Sequence, residues 1–183
     1  MKIFKLTYGI CIGAIGLLLT PYYCKAQSHS LGINMAMLAV GSVNFEFSKA
    51  ISQKLTFHIP ISWNPITFGN NKKIKHLMIQ PGIRWWKWHS YSGYFGGANI
   101  TAIQFNAGIK KFRYYGKGAG ITLSAGYAKM ISKKWNIEAE AGIYSGWISY
   151  DKYSRELCGD YQGSRQSFIF YPAKISLSLI YIM

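Results

Sequence analysis

The sequence predicts an all-β protein: an eight-stranded, antiparallel, up-and-down transmembrane β-barrel that follows a cleaved signal peptide. Three observations predict this fold. Apolar residues alternate with polar residues along eight segments of the chain. After a first link over 39–41 that is short, short turns and long loops alternate between these segments, and aromatic residues lie on the apolar face near both ends of the segments. The length of 183 residues suits one such domain.

The composition excludes three other classes of protein. Half of the residues are hydrophobic and only 15% are charged, so the chain is neither a disordered polyelectrolyte nor a Lys/Glu-rich helical protein. The mean hydropathy of +0.05 excludes a bundle of transmembrane helices, each of which needs about 20 successive apolar residues.

The N-terminal segment has the features of an export signal. Two lysines within the first five residues precede an apolar run over 6–20, and Ala26 supplies a small residue at a cleavage point. Residues 1–26 are therefore expected to be a secretory signal peptide, and residues 27–183 the outer-membrane β-barrel domain. Cleavage removes two of the three cysteines, which leaves Cys158 without an intramolecular disulfide partner.

The alternation fixes the expected strands in order. They are 31–37, 42–48, 55–63, 77–85, 94–104, 119–127, 135–147 and 175–183. The links after the second, fourth and sixth strands are short, whereas 64–75, 106–116 and 149–172 are expected to be long loops. Short turns on one rim and long loops on the other are typical of outer-membrane barrels. The orientation places Asn70 and Cys158 outside the cell.

Aromatic residues separate this fold from a soluble lipocalin-like carrier of hydrophobic ligands, in which the apolar face lines the interior. Aromatic rings prefer the two membrane interfaces. Two aromatic girdles are therefore expected, with an aliphatic band between them. Trp85, Tyr127, Trp135 and Tyr181 form the girdle at the short turns, and Trp63 and Trp147 form the girdle at the long loops.

Several segments resemble a known family. Residues 64–76, 80–86, 113–116, 132–140 and 172–177 resemble the domain-of-unknown-function family 3575 of small outer-membrane β-barrel proteins. The resemblance implies an outer-membrane location in a Gram-negative cell. It brings no established activity, cofactor or catalytic residue.

Four charged residues share the polar face of their strands and are expected to point inward. An eight-stranded barrel has an interior only wide enough for side chains, so these charges should pair with one another. The alternative is a proton or ion relay. The expected lumen ion-pair network consists of Glu46, Arg84, Glu138 and Glu140.

Two histidines define the remaining candidates. His58 lies on the inward parity with no Cys or carboxylate at ligand spacing, so a hydrogen-bonded lumen histidine is expected and no metal site. His76 lies where the first long loop re-enters the barrel, which is where a lipid-modifying membrane enzyme would place its histidine. No Ser/His/acid set with defined spacing accompanies His76, so no catalytic residue is assigned.

Basic residues concentrate in two of the expected long loops, with no acid among them. Clustered cations there favour contact with the phosphates of lipopolysaccharide, and the alternative is a solvated loop that binds nothing. The expected contacts are Lys72, Lys73, Lys75, Lys110, Lys111, Arg113 and Lys117.

Taken together, these features predict a monomeric, non-enzymatic outer-membrane protein without a cofactor, with a structural or surface-interaction role through its basic loops. Its expected partners are outer-membrane lipids and an unidentified surface or envelope protein, and no nucleic acid. An outer-membrane lipid-modifying enzyme and a soluble carrier remain the alternatives.

Overall fold

The computed structural model describes residues 28–68, 72–108, 111–154, 156 and 159–183. The expected signal peptide therefore lies outside the described residues, as do Asn70, Lys110 and Cys158. The described residues form ten β-strands and one short helix. Among them, no helix is long and apolar enough to cross a membrane.

The elements follow one another along the chain with few interruptions. They are β1 (His29–Asn34), α1 (Met35–Ala39), β2 (Val43–Ser52), β3 (Leu55–Asn64), β4 (Thr67–Phe68), β5 (Lys72–Ile79), β6 (Gly82–Trp86), β7 (Gly93–Gly108), β8 (Phe112–Ser132), β9 (Trp135–Ser154) and β10 (Tyr161–Ile182).

The strands form one antiparallel, up-and-down sheet that closes into a ring of eight positions. β2 pairs with both β1 and β3, β1 pairs with β10, and β7 to β10 follow in sequence order. β5 and β6 share one position between β3 and β7. They are separated at Gln80 and Pro81, but Gln80 N–H still donates to the Pro60 carbonyl and Ile100 N–H donates to the Pro81 carbonyl. The expected single strand over 77–85 is thus two segments of one ladder.

The ring carries its apolar side chains on the outside. Many outward leucine, isoleucine and tryptophan side chains are 40–77% exposed, from Ile79 at the low end to Ile175 at the high end. The buried side chains of the interior are mostly polar or charged, including Thr56, Asn99 and Thr122. A strand presents successive side chains to opposite faces, so one alternating sequence produces both surfaces.

Two of the three expected long loops are instead strands. β7 continues to Gly108 and β8 begins at Phe112, so little of 106–116 is loop. β9 continues to Ser154 and β10 begins at Tyr161, which replaces most of 149–172. Aromatic pairs hold these extensions together: the Tyr114 and Tyr150 rings are 5.5 Å apart. Both faces of the extensions carry polar and aromatic side chains, so alternation does not mark them as strands.

The first expected strand, 31–37, ends earlier than its alternation indicates. β1 stops at Asn34, whose side-chain oxygen accepts from the Met37 N–H at 3.2 Å and caps α1. The Asn34 N–H donates to Asn44 Oδ1, which ties the cap to β2. Local side-chain hydrogen bonds at Asn34 therefore replace the ladder.

Candidate functional site

Arg84 lies at the centre of the interior. Its position on β6 pairs it with Thr56 of β3 and Gly97 of β7, which aims its side chain into the ring. The side chain is 4% exposed. A guanidinium buried to this degree needs anionic partners, because an unpaired charge in a low-dielectric interior is strongly unfavourable.

Three glutamates surround Arg84. Glu46 accepts two hydrogen bonds, from Nη1 at 2.5 Å and from Nη2 at 3.1 Å. Glu140 accepts from Nη2 at 2.8 Å, and Glu138 accepts from Nη1 at 3.4 Å. The structure thus brings together all four members of the expected lumen network. The paired, fork-like contact with Glu46 uses the planar geometry that distinguishes arginine from lysine.

Lys174 is a fifth member that the sequence analysis missed. Its Nζ donates to Glu140 Oε1 at 2.6 Å, so Glu140 bridges the two cations. The ladder between β9 and β10 shifts register between Pro172 and Lys174, and this bulge turns Lys174 inward. The expected final strand began at Ile175, whereas β10 begins at Tyr161, so Lys174 lay outside the expected strands. The signal was available, because Lys174 shares the parity of Ser176 and Ser178.

A glycine lies between the arginine and Ser124. Gly97 lies opposite Arg84 in the ladder. A Cβ atom at Gly97 would lie 2.7 Å from Ser124 Oγ and 3.5 Å from Arg84 Cγ. A Cβ atom at this position would therefore displace the Ser124 hydroxyl, whereas its distance from Arg84 is an ordinary van der Waals contact.

The interior is apolar at the short-turn end. Trp86 is fully buried and its ring lies 4.7 Å from that of Phe95. The Arg84 guanidinium carbon lies 5.0 Å from the centre of the Phe95 ring. Tyr91, Ile180 and Ile182 complete this apolar plug. Its strand residues share the inward parity of their strands, which was the sequence signal.

Tyr91 closes the plug from the turn between β6 and β7. It is a non-glycine residue with positive φ, 66°, and its carbonyl accepts from Asn136 Nδ2. Its hydroxyl lies 3.4 Å from Ser48 Oγ. Burial raises the pKa of the Tyr91 hydroxyl, so this group stays neutral at physiological pH.

His58 faces the interior as expected, but it is not hydrogen-bonded as expected. It is fully buried, and its ring nitrogens have no hydrogen-bond partner among the described residues. Within the described part of the chain, no three His, Cys, Asp or Glu side chains are grouped so as to hold a metal ion.

A small cavity borders the ion network on the side away from the plug. Its volume is about 50 Å³, and Glu46, Gln80, Glu140 and Lys174 contribute to its lining. Polar cavities of this size hold water rather than an organic ligand, because sites for small molecules are about 300–1,000 Å³.

The predicted basic residues lie mostly on strands, which corrects their placement in loops. Lys73, Lys75, Arg113 and Lys117 share one parity and occupy the outward face of β5 and β8. Together they are called the basic face here. Partial burial, followed by the nearby cations Arg113 and Lys75, lowers the pKa of Lys73.

The other predicted basic residues are placed differently. Lys72 lies on the opposite face of β5 from Lys73. Lys111 is exposed in the link before β8, and Lys110 lies outside the described residues. One acid accompanies the basic face: Asp151 lies beside Tyr115 in the ladder of β8 and β9.

The predicted girdle residues lie on the outward face toward the two ends of the ring, and all of them except the half-buried Tyr181 are exposed. At the short-turn end, the rings of Trp135 and Tyr181 pack 5.0 Å apart. At the other end, the rings of Trp147 and Phe168 pack 5.3 Å apart. The remaining girdle residues, Trp63, Trp85 and Tyr127, are 53%, 58% and 42% exposed.

His76 contacts a serine that the sequence analysis did not connect with it. Its Nε2 lies 3.1 Å from Ser62 Oγ. The Ser62 side chain is buried and also directs its hydroxyl to Met37 Sδ at 3.6 Å. None of the ion pairs among the described residues includes His76.

One comparison with known proteins is informative. The family model described as "Protein of unknown function (DUF3575)" matches residues 12–183. No curated protein is significantly similar to the chain.

Proposed function

Since the chain belongs to the DUF3575 family, which carries no assigned activity, we propose from its own residues that it is a non-enzymatic, integral outer-membrane β-barrel. Its role is structural or surface-interacting, and it acts through the basic face. The protein is exported through the secretory pathway of a Gram-negative cell and resides in the outer membrane as a monomer.

The polarity of the ring carries this proposal. Arg84, Glu138 and Glu140 are buried in the interior, while side chains such as Trp85, Leu123 and Ile175 are 58–77% exposed outside it. In water, this arrangement would expose a large apolar surface and bury charges at no benefit. In a bilayer, the apolar side chains of the same arrangement contact lipid. The backbone N–H and C=O groups of every strand are paired, because a closed ring has no unpaired edge in the hydrocarbon.

The spacing of the two girdles supports the same proposal. Trp135 and Trp147 are both on the outward face of β9, twelve residues apart. At about 3.4 Å per residue and a strand tilt of 35–45°, they are separated by about 30 Å along the ring axis. Such a separation suits an apolar band of about 25 Å with an aromatic girdle at each interface.

The interior supports a structural rather than a carrier role. The apolar plug, the ion network and a cavity of only about 50 Å³ occupy the space where a soluble carrier would hold its ligand. The basic face, at the end of the ring opposite the short turns, is suited to the phosphates of lipopolysaccharide. Cations that act as a cluster bind an anionic surface although each contributes little alone.

Membrane integration is tested by extraction and by heat-modifiability. We expect the mature protein to remain in the membrane fraction after carbonate washing and to need detergent for extraction. In SDS it should migrate as a compact species until it is boiled, because the closed sheet resists unfolding. Release into detergent-free buffer as a monodisperse protein would contradict the proposal and favour the soluble carrier.

The contact between Ser62 and His76 is the observation that favours a second function, lipid modification. A serine hydrolase or acyltransferase needs a nucleophile close to a histidine base. Here the serine is buried and directed to Met37, which favours a structural contact. Lipid A mass spectra of cells that carry Ser62→Ala and of cells that carry the parent protein should be identical. An acylation difference between them would support the enzyme instead.

A further inference from the structure

An apolar groove runs along the outward face of the ring directly below the basic face. Its floor consists of two alanines that are paired in the ladder, Ala102 of β7 and Ala119 of β8. Leu77 and Ile79 of β5 form one wall, and Trp147 of β9 forms the other. These five residues are called the outer groove here. Its volume is about 470 Å³, within the range of about 300–1,000 Å³ that is typical of small-molecule sites.

The outer groove exists because small residues lie between large ones at the same level of the sheet. Ile79, Ala102, Ala119 and Trp147 occupy neighbouring positions on successive strands. Leu77, Ile79 and Trp147 stand out from the surface and are 52%, 40% and 59% exposed. The short side chains of Ala102 and Ala119 leave a channel between these larger side chains. The channel is apolar on both walls and on its floor.

The next level of the same face is polar. The next outward-facing residues of β7, β8 and β9, further from the short turns, are Gln104, Lys117 and Ser149. Lys117 also borders the outer groove, and its side chain is exposed. Trp147 marks the interface of the proposed membrane, so this change from apolar to polar coincides with the boundary between hydrocarbon and head groups.

The charge above the outer groove is predominantly positive. Lys75 is the next outward residue after Leu77 on β5, and Lys117 pairs with Gln104, which in turn pairs with Leu77. Gln104 Nε2 donates to the Tyr115 hydroxyl at 2.9 Å, which fixes the polar side chains there. Arg113 is held over the ring of Tyr153 at 4.9 Å. Asp151 is the one acid that also faces this surface in the ladders of the described strands.

We propose that the outer groove and Lys117 form a binding site for one lipopolysaccharide molecule: an acyl chain lies in the groove, and a lipid A phosphate contacts Lys117 and Lys75. The inference rests on the proposed membrane location. It also defines where the lipid lies, because its acyl chain and its phosphate must be joined at the level of Trp147. Lipopolysaccharide is the occupant because the basic face lies at the outer-leaflet end of the ring, where this lipid supplies both acyl chains and phosphates.

The strand β8 provides matched controls for both halves of the site. Ala125 faces outward like Ala119 but lies nearer the short turns, and Lys129 faces outward like Lys117 at the opposite rim. The test compares Ala119→Leu with Ala125→Leu, and Lys117→Gln with Lys129→Gln. The measurement is native mass spectrometry of the purified protein titrated in detergent with rough lipopolysaccharide, with its dephosphorylated form and with phosphatidylglycerol.

We expect about one tightly retained lipopolysaccharide per protein. Ala119→Leu and Lys117→Gln should each reduce its retention at least fivefold, and the two control variants should retain it like the parent. Loss of the phosphates should remove the difference between Lys117→Gln and the parent. Equal retention by all four variants would overturn the site, as would a preference for phosphatidylglycerol.

Heat-modifiability of the same samples separates this inference from the proposed function. If the protein is heat-modifiable and all of its variants retain lipopolysaccharide equally, the proposed binding site is refuted but the proposed membrane barrel is not. If the protein is soluble without detergent, both the proposed site and the proposed membrane barrel are refuted.

Discussion

Replacing Arg84 by methionine tests whether the interior network holds the ring together. The Arg84 side chain is 4% exposed and donates four hydrogen bonds to three carboxylates. With every group ionised, the five-membered network carries two positive and three negative charges. Arg84→Met removes one of the two cations and leaves Lys174 in contact with Glu140 alone.

Breaking a buried ion pair on one side costs about 3–5 kcal/mol, because the remaining charge stays buried without a partner. We expect a loss in this range for Arg84→Met. The loss should be partly reversed in the double variant with Glu46→Gln, which removes the carboxylate that accepts two of the four hydrogen bonds. A coupling of about 0.5–3 kcal/mol between the two substitutions is expected for residues in direct contact.

The assay is reversible urea unfolding in detergent micelles or vesicles, followed by tryptophan fluorescence and by heat-modifiability. Lys129→Met is the control, because this exposed cation should change the free energy of unfolding by no more than about 0.5 kcal/mol. A folded Arg84→Met protein that loses less than about 1 kcal/mol would refute the reasoning. So would strict additivity with Glu46→Gln, even if the single variant folds poorly.

Three further outcomes follow from the same interior and from the chain orientation. Lys174→Met should cost less than Arg84→Met in the same unfolding assay, because Lys174 has one ionic contact in the structure, and an equal loss would contradict this. Gly97→Val should destabilise the protein by about 1–3 kcal/mol through overpacking, and Ser124→Gly should recover part of that loss if the 2.7 Å approach is its cause. An impermeant maleimide should label Cys158 on intact cells, whereas labelling only after lysis would reverse the orientation, once the denatured thiol is shown to be free.

The sequence predicted the inward charges because alternation alone determines them. Glu46 and Glu138 share the polar parity of their strands, and a side-chain period of two carries each of them to the same interior. The distances were beyond sequence reasoning, because they depend on the register between strands. Arg84 meets Glu140 only because β6 and β9 lie on different sides of a closed ring.

The misplaced loops have a physical cause as well. Apolar and polar residues alternate along a strand only where its two faces lie in different environments. Near Arg113 and Tyr114, β8 carries polar or aromatic residues on both faces. The signal disappears there although the ladder continues. Lys174 was missed because the expected strand began one residue after it, at Ile175. The bulge between Pro172 and Lys174 interrupts the alternation on the N-terminal side of Lys174, so the strand could not be traced further back. Bulges of this kind depend on cross-strand pairing, which one strand's sequence does not contain.

The outward surface tests the central claim most directly, because a membrane barrel must place its aliphatic band in lipid. Leu123 is 61% exposed in the middle of β8, and Thr122 beside it points inward and is buried. A fluorophore on Leu123→Cys, in a Cys158→Ser background and in vesicles, should be quenched by lipids brominated on their acyl chains and not by aqueous iodide. A label on Lys129→Cys at the short-turn rim should show the reverse. Efficient iodide quenching at Leu123→Cys, with no response to brominated acyl chains, would contradict the membrane barrel.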